Sequence, residues 1–465
     1  MFDALRRDLD LPPAERTAAF PSDVLAEAER VAAQVRAGTP DRTDRTDLAF
    51  VTVDPPGAMD LDQAVHLERR GDGFRVHYAI ADLGVLPLGG AIDTEARRRG
   101  QTIYLPDGRV PLHPPALSED ALSLLPDRER PAVLWSIDLD ADGAVTEHRV
   151  ERALVRSRAR FDYATVQADA DAGRLHPSLE TLPDIGRIRR AQRVAAGALE
   201  LGLPDQEIVA GGDGWRIAWR ERRPADDWNA ELSLLTGMVA ASMMVQARVG
   251  LLRTLPPAAP DDVRRFLRRA EALGVEAGDA PAALLDRLDG DDVRHLAVMT
   301  DATRLLRGAS YQAFDGELPD QTWHAGVGGE YAQVTAPLRR LADRFASEVC
   351  LALAEKGTVP AALREALPSI PGAMSFSDSV ASRADRGALD RVEAAMLQPH
   401  VGHVLDVLVV DVEGDRADVM LVDPPVLATV ETTPGGPAPA EGERAQARVG
   451  EADPESGVVR LTFAS

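Results

Sequence analysis

The chain has 465 residues, 45% of them apolar and 27% charged, with a single cysteine and a formal net charge of −23. That length implies roughly two to four structural units, and the acidic balance argues against a protein that coats nucleic acid or an anionic membrane through its overall field. One cysteine, Cys350, excludes an intramolecular disulfide and a cysteine-rich zinc site.

No uninterrupted apolar run approaches the ~18 residues of a membrane span, and the charged N-terminus, MFDALRRDLDLPPAER, lacks the apolar core of a signal peptide. The expectation is a soluble, cytoplasmic, monomeric protein with no membrane partner. Residues 1–48 read as a short helical N-terminus: Ser22-Asp23 after Pro21 supplies an N-cap, and Val24, Leu25, Ala28, Val31, Ala32 and Val35 recur at helical spacing until Gly38. From Leu48 the period changes to two. LAFVTV, AVHLERR and FRVHYAIADLGV read as strands separated by Pro55-Pro56-Gly57 and Gly71-Asp72-Gly73 turns, with further strands near 102–104, 132–139 and 146–157. Helical patterns follow near 185–201, 227–253, 260–273, 290–307, 336–355 and 377–397. Strands followed by helices imply an α+β body over 49–398. Residues 399–465 return to short alternating strands with Gly/Asp turns, the pattern of a small antiparallel barrel, with a Pro/Gly/Ala loop at 434–440.

The segment VDPPGAMDLDQAVHL carries the densest chemistry. Asp54, Asp60 and Asp62 place three carboxylates within nine residues. In an extended chain Asp60 and Asp62 project to one face while Leu61 faces away, and the Pro-Pro-Gly turn can fold Asp54 back beside them. Converging like charges require raised pKa values or an intervening cation, and such oxygen ligands suit Mg²⁺, with Mn²⁺ as the alternative. Two such ions would serve phosphodiester cleavage. An Asp-rich turn bonded to backbone N–H groups is the competing reading. A second run, DLDADG at 138–143, imitates the start of a calcium loop, but its twelfth position is Arg149 where a glutamate is required, so it reads as a hairpin turn.

With its downstream context, the sequence resembles the catalytic domain of the RNB family, shared by ribonuclease II, ribonuclease R and the exosome nuclease. DPPGAMDLDQA is similar to that family's metal-site motif, GGAIDTEARRRGQTIYLPDGRVPLHPPALSEDALSLLP to the segment after it, and HAGVGGEYAQVTAPLRRLADRFAS to its late active-site motif. The resemblance implies antiparallel strands with a large helical half, followed by a barrel of S1/OB type. It also implies Mg²⁺-dependent 3′→5′ hydrolysis of single-stranded RNA to nucleoside 5′-monophosphates. It makes Asp54, Asp60 and Asp62 metal-site carboxylates, with Asp62 the most critical for catalysis. Gln63 stands where the family carries a fourth aspartate, which implies one weaker metal position. Tyr104 matches an aromatic that stacks on a base near the RNA 3′ end, and Arg339 an arginine over the scissile phosphate. Arg340, Glu231 and His324 are implied RNA contacts. Asp385 takes a usual glutamate position, and Ala79 replaces a histidine, so His77 is given no role.

Ribonucleases II and R carry two cold-shock barrels before the catalytic domain, and 48 residues leave no room for them here, so the expectation is an RNA-clamping front end that is absent or replaced by a small helical piece. Residues 400–465 carry 12 acidic and 4 arginine residues, with Phe463 the one aromatic ring among Phe, Tyr and Trp. A barrel of that composition is expected to pack on the body or to grip RNA weakly. Arg97, Arg98, Arg99, Arg109, Arg156, Arg158 and Arg160, with Arg339 and Arg340, either line a channel or pair with surface acids. The alternative to an enzyme is a catalytically weakened or inactive RNB-fold RNA-binding or scaffold protein, favoured by Gln63. A carboxylate-pair glycosidase fits poorly, because Asp60 and Asp62 are too close in sequence and aromatic residues are only 4% of the chain.

Overall fold

The computed structural model describes residues 1–465 except 15–18, 201–204, 213, 221, 279, 286, 290–291, 415, 422–425, 432–438 and 465. The expected 434–440 loop therefore lies largely outside the described residues.

The N-terminal segment forms two helices, α1 (Phe2–Asp8) and α2 (Ser22–Ala37). α2 ends at Gly38 as its periodicity predicts, but Pro21 is the N-cap and Ser22 is already helical, with no side-chain cap bond. The buried Val24, Ala28, Val31, Ala32 and Val35 stripe packs on Leu83, Leu86, Ile92, Leu122 and Leu338 of the body.

The strands β1 (Thr43–Asp44), β2 (Phe50–Val53), β3 (Gln63–Arg70) and β4 (Gly73–Ala81) follow. Then come α3 (Ala91–Arg99), a hairpin of β5 (Ile103–Leu105) and β6 (Gly108–Val110), and the long strands β7 (Glu129–Leu139) and β8 (Val145–Phe161). The main sheet runs β1-β8-β2-β3-β4-β7, and β7 also pairs with β8. β8 lies antiparallel to β7 from Glu129↔Arg156 to Leu139↔Val145, then parallel to β2 from Phe50↔Ser157 to Val53↔Phe161. Pairing with both β7 and β2, as well as with short β1, this one strand closes the sheet into a ring. The DLDADG run is the β7–β8 turn, with the Asp140 carboxylate accepting from the Asp142 and Ala144 amides.

One face of the sheet buries Val65, Val76, Tyr78, Ile80, Trp135 and Ile137 against the helical half. That half comprises α4 (Tyr163–Asp171), α5 (Leu182–Ala195), α6 (Pro224–Ala247), α7 (Pro260–Ala272), α8 (Pro281–Leu285), α9 (Val293–Ala302), α10 (Leu341–Lys356), α11 (Ala361–Ala366) and α12 (Ile370–Leu397). Among the described residues α6 is the one helix long and apolar enough to cross a membrane by length and composition, and half of that stretch is buried in the fold. Between helices lie hairpins β9 (Asp205–Gly211)/β10 (Gly214–Arg220), β11 (Val249–Thr254)/β12 (Ser310–Asp315) and β13 (Trp323–His324)/β14 (Gly329–Glu330). Residues 249–253, expected to continue a helix, are strand instead. Arg248 adopts a left-handed conformation (φ 55°) that ends α6, and β11 finds a partner some sixty residues on, which local periodicity cannot reveal.

The C-terminal strands β15 (Val404–Glu413), β16 (Arg416–Leu421), β17 (Leu427–Glu431), β18 (Arg444–Asp453) and β19 (Val458–Phe463) form a closed barrel in the order β15-β16-β17-β19-β18. The α+β body with a small terminal barrel is the expected fold class. The barrel's Leu408, Val410 and Met420 join Phe266, Leu273, Leu284 and Val298 in one apolar cluster. Above it Arg269 and Arg304 bridge Asp301 to Asp411, and Arg304 also reaches Asp418.

Candidate active site

Four stretches of chain meet at one cavity of about 500 Å³, lined among others by Asp54, Asp60, Asp62, Gln63, Tyr104, Arg109, Tyr163 and Arg339. The first stretch leaves β2. The Asp54 amide donates to the Phe161 carbonyl (3.0 Å), after which the chain reverses at Pro55-Pro56-Gly57, with Gly57 at φ 83° where a side chain would be strained. Leu61 is fully buried as expected, its amide donating to Ser123 Oγ (2.9 Å) and its carbonyl accepting from Leu124 (3.0 Å). These bonds turn Asp60 and Asp62 to the cavity side.

Asp62 is buried. Its Oδ1 accepts the Leu338 amide (2.8 Å), and its Oδ2 lies 3.5 Å from Arg339 Nε. Burial pushes its carboxyl up to about 8 despite Arg339 and the Leu338 bond. Burial likewise raises Asp54 to about 6, and Asp54 Oδ2 is buried without a hydrogen-bond partner. Two desolvated acids with raised pKa values, one holding an orphaned oxygen, are a donor set that a hard cation would satisfy. Asp60 is different: its Oδ1 accepts from Arg109 Nη1 (2.6 Å), and Arg109 Nη2 donates to Glu119 (2.8 Å). The expected convergence of all three carboxylates is thus not preformed. Among the described residues no group of three Asp, Glu, His or Cys side chains is gathered to enclose a metal ion, because Arg109 already takes up the Asp60 charge. Gln63 Nε2 donates to the Thr335 carbonyl, tying the acidic motif to the late one.

The late motif is fixed by the segment that leads to Tyr104. The Thr102 amide donates to the Arg339 carbonyl (3.0 Å) and the Leu341 amide to the Gly100 carbonyl (2.9 Å), while buried Asp343 accepts the Ala336 amide (2.7 Å). The Arg339 side chain remains 44% exposed on the wall of the cavity. Tyr104, 46% exposed, sits across the hairpin from Arg109.

Three other candidates do not line this cavity. Arg340 donates from Nε and Nη2 to Asp343 (3.0 and 2.9 Å). Glu231, on α6, is buried in an ion pair with Arg193, whose Nε lies 2.9 Å from Oε2. His324 packs edge-to-face on Tyr331, and burial, aided by Arg253, lowers its imidazole to about 4. Arg340 and Glu231 are thus held in ion pairs, whereas His324 Nδ1 is buried without a hydrogen-bond partner. The proposed arginine channel also resolves largely into pairs: Arg97 with Asp93, Arg98 and Arg99 with Glu95, and Arg156 with Glu129. Arg158 and Arg160 donate to the Thr46 and Pro55 carbonyls. Only Arg109 and Arg339 of that set line the cavity. Asp385 is solvent-exposed on α12 and does not line this cavity. Tyr163, which does line the cavity, was missed. Its signal was Asp162 after a long strand, which caps α4 through the Thr165 amide (2.7 Å).

The RNB domain model matches residues 42–353, and the RNase II-type exonuclease C-terminal S1 domain matches 403–464. The exosome complex exonuclease RRP44 homolog A of Arabidopsis thaliana is 29% identical over 76% of this chain and 40% of its own length. Ribonuclease R of Escherichia coli is 28% identical over 68% of this chain and 40% of its own length. The chain thus spans about 40% of the length of these relatives. In fold it is similar to Mycoplasma genitalium RNase R solved with ribose-methylated single-stranded RNA, at TM-score 0.84 and 20% identity over 100% of this chain and 77% of that one. Yeast Ssd1, a pseudonuclease, shares the fold at TM-score 0.69 and 17% identity over 84% of this chain and 50% of that one. With the matched domain covering most of the sequence and framing this cavity, the chain belongs to the RNB-domain family.

Proposed function

We propose that the protein is a Mg²⁺-dependent exoribonuclease that shortens single-stranded RNA from its 3′ end to nucleoside 5′-monophosphates, with Mn²⁺ as a substitute ion. The observation that carries this reading is the pairing of buried Asp62 with partly exposed Arg339 on the wall of the cavity that also holds Tyr104.

Asp54 and Asp62 would hold the ion, and Asp60 would join them on leaving Arg109. Bound there, Mg²⁺ would polarise the phosphoryl oxygens and acidify a water molecule. The Leu338 amide fixes one Asp62 oxygen and leaves the other toward the cavity, suited to orienting a water. Arg339 can offer its planar fork to the phosphoryl oxygens, where charge grows during displacement. Tyr104 can stack on a terminal base without reading its identity. Gln63 spends its amide N–H on Thr335 and offers the cavity at most a neutral carbonyl.

Gln63 and the Arg109–Asp60 pair favour a second reading, an RNA-binding protein of weakened or absent activity. Incubation of 5′-labelled oligoadenylate with Mg²⁺ separates the two. Progressive 3′ shortening that Asp62→Asn abolishes supports the nuclease. Undiminished length in both Mg²⁺ and Mn²⁺, with retained oligonucleotide binding, supports the binding protein.

A further inference from the structure

The β5–β6 hairpin has two different faces. Tyr104 and Arg109, directly paired in register, face the cavity, while Ile103 and Val110 are buried on the other side and buried Leu105 touches both the cavity and the cluster behind it. A two-stranded hairpin is marginal alone and needs a layer behind it. Here the layer is α12 together with α1, whose Phe2, Leu5 and Leu9 join those hairpin residues in one cluster with Ala384, Ala388 and Val392. The family domain match begins at residue 42, so α1 lies outside the matched segment.

Arg6 makes this contact specific. It is 1% exposed, and its guanidinium donates to both Asp107 oxygens (2.6 and 3.2 Å), the Gly108 carbonyl (3.4 Å) and the Pro12 carbonyl (3.1 Å). Pro106 and Asp107 form the turn between the two strands, and Gly108 is the residue that leaves it, directly before Arg109. The body is also shaped to receive α1. Gly387 lies within α12, where glycine is unfavourable, and a Cβ there would meet Leu5 Cδ1 at 2.6 Å. Arg391 reaches Asp8 (3.1 Å), and Phe2 packs edge-to-face on Trp215 (5.3 Å). A charged side chain is buried at such a site only when fully paired, and every bond that Arg6 makes outside its own segment goes to the hairpin turn.

We propose that α1 is a latch on the active-site hairpin, with Arg6 as a positioning residue that holds Tyr104 and Arg109 toward the acidic cluster and so sets the grip on the RNA 3′ end. This rests on the exonuclease reading for its role in turnover, but not for its effect on the hairpin. The test compares the full chain with Arg6→Ala, Arg6→Lys, Asp107→Asn and the Arg6→Ala/Asp107→Asn pair. Oligoadenylate Kd is read by anisotropy without metal, KM and kcat with Mg²⁺, and hydrogen exchange at residues 103–110.

Arg6→Ala and Asp107→Asn should each raise Kd and KM about tenfold, the loss of roughly one base–aromatic stack, with kcat within about twofold. Exchange at 103–110 should rise selectively, Arg6→Lys should recover part of the loss, and the double variant should be no worse than either single one. Unchanged Kd and unchanged hairpin exchange in Arg6→Ala would overturn the latch, and so would a fall in kcat with exchange raised throughout the protein. If the wild type binds RNA but does not shorten it, the exonuclease reading fails while Kd and exchange still decide the latch. If it does not bind, exchange at 103–110 decides alone.

Discussion

Asp62 and Arg339 lie 277 positions apart, and their proximity is made by hydrogen bonds of the late motif's backbone: the Leu338 amide to the Asp62 carboxylate on one side, and the Arg339 carbonyl and Leu341 amide to Thr102 and Gly100 on the other. Arg339 is not replaceable by another cation if it forks onto phosphoryl oxygens. Arg339→Lys should therefore lower kcat by about 10²-fold with RNA affinity changed far less, as single-turnover kinetics would show. A parallel fall in affinity would instead make it a simple phosphate contact. Asp54, Asp60, Asp62, Tyr104 and Arg339 could be read from the sequence because each lies in a short motif with a turn or strand to orient it. The ion pair of Glu231 could not be foreseen, because its partner Arg193 comes from another helix. The Arg340 pair was legible, since Asp343 three residues on offers a helical ion pair.

At the scale of elements, α12 carries more than its length implies. It backs the hairpin through Ala384 and Ala388, and it meets the barrel at a cavity of about 660 Å³ lined by Asp390, Glu393, Arg416, Asp418 and Arg460. Glu393 is buried there, and burial followed by the Asp390 charge lifts its carboxyl to about 8. A carboxyl with a folded pKa above its unfolded one binds its proton more tightly when folded. Its contribution is complete below the ordinary glutamate pKa and is lost as pH rises through about 8. Glu393→Gln should match the wild type in Tm near pH 5 and exceed it near pH 9, by roughly 1–3 kcal/mol of stability. Thermal scans across that range give the answer, and a pH-independent difference would contradict it. Secondary structure in this region was only partly legible. Long amphipathic α12 was evident, whereas the apolar run 249–254 satisfies helix and strand alike until β12 supplies its ladder.

For the whole molecule, the charge of −23 and the RNA reading are compatible because the positive side chains needed are local. Most of the arginines expected to line a basic channel are paired to carboxylates, and the acidic barrel docks on the α7–α9 region through Arg269 and Arg304. With few phosphates neutralised, log Kd should rise against log salt with a slope of only about 1–3, near 0.7 per neutralised phosphate on a single strand. A steep slope would mean that surface arginines leave their acidic partners to bind RNA. The barrel was legible from its Gly/Asp turns and alternation. Its docked position was not, because that depends on an apolar patch on β15 and β16 meeting helices more than a hundred residues earlier.

The most direct test is to give the protein RNA labelled at its 3′-terminal phosphodiester and identify the first product with Mg²⁺ present, beside Asp62→Asn. That substitution keeps the side-chain shape and an acceptor for the Leu338 amide while removing the charge. The account predicts a labelled nucleoside 5′-monophosphate as the first product of the wild type, and a rate at least about 100-fold lower in Asp62→Asn with binding and Tm preserved. Release of internal fragments, or equal rates in the two proteins, would contradict it.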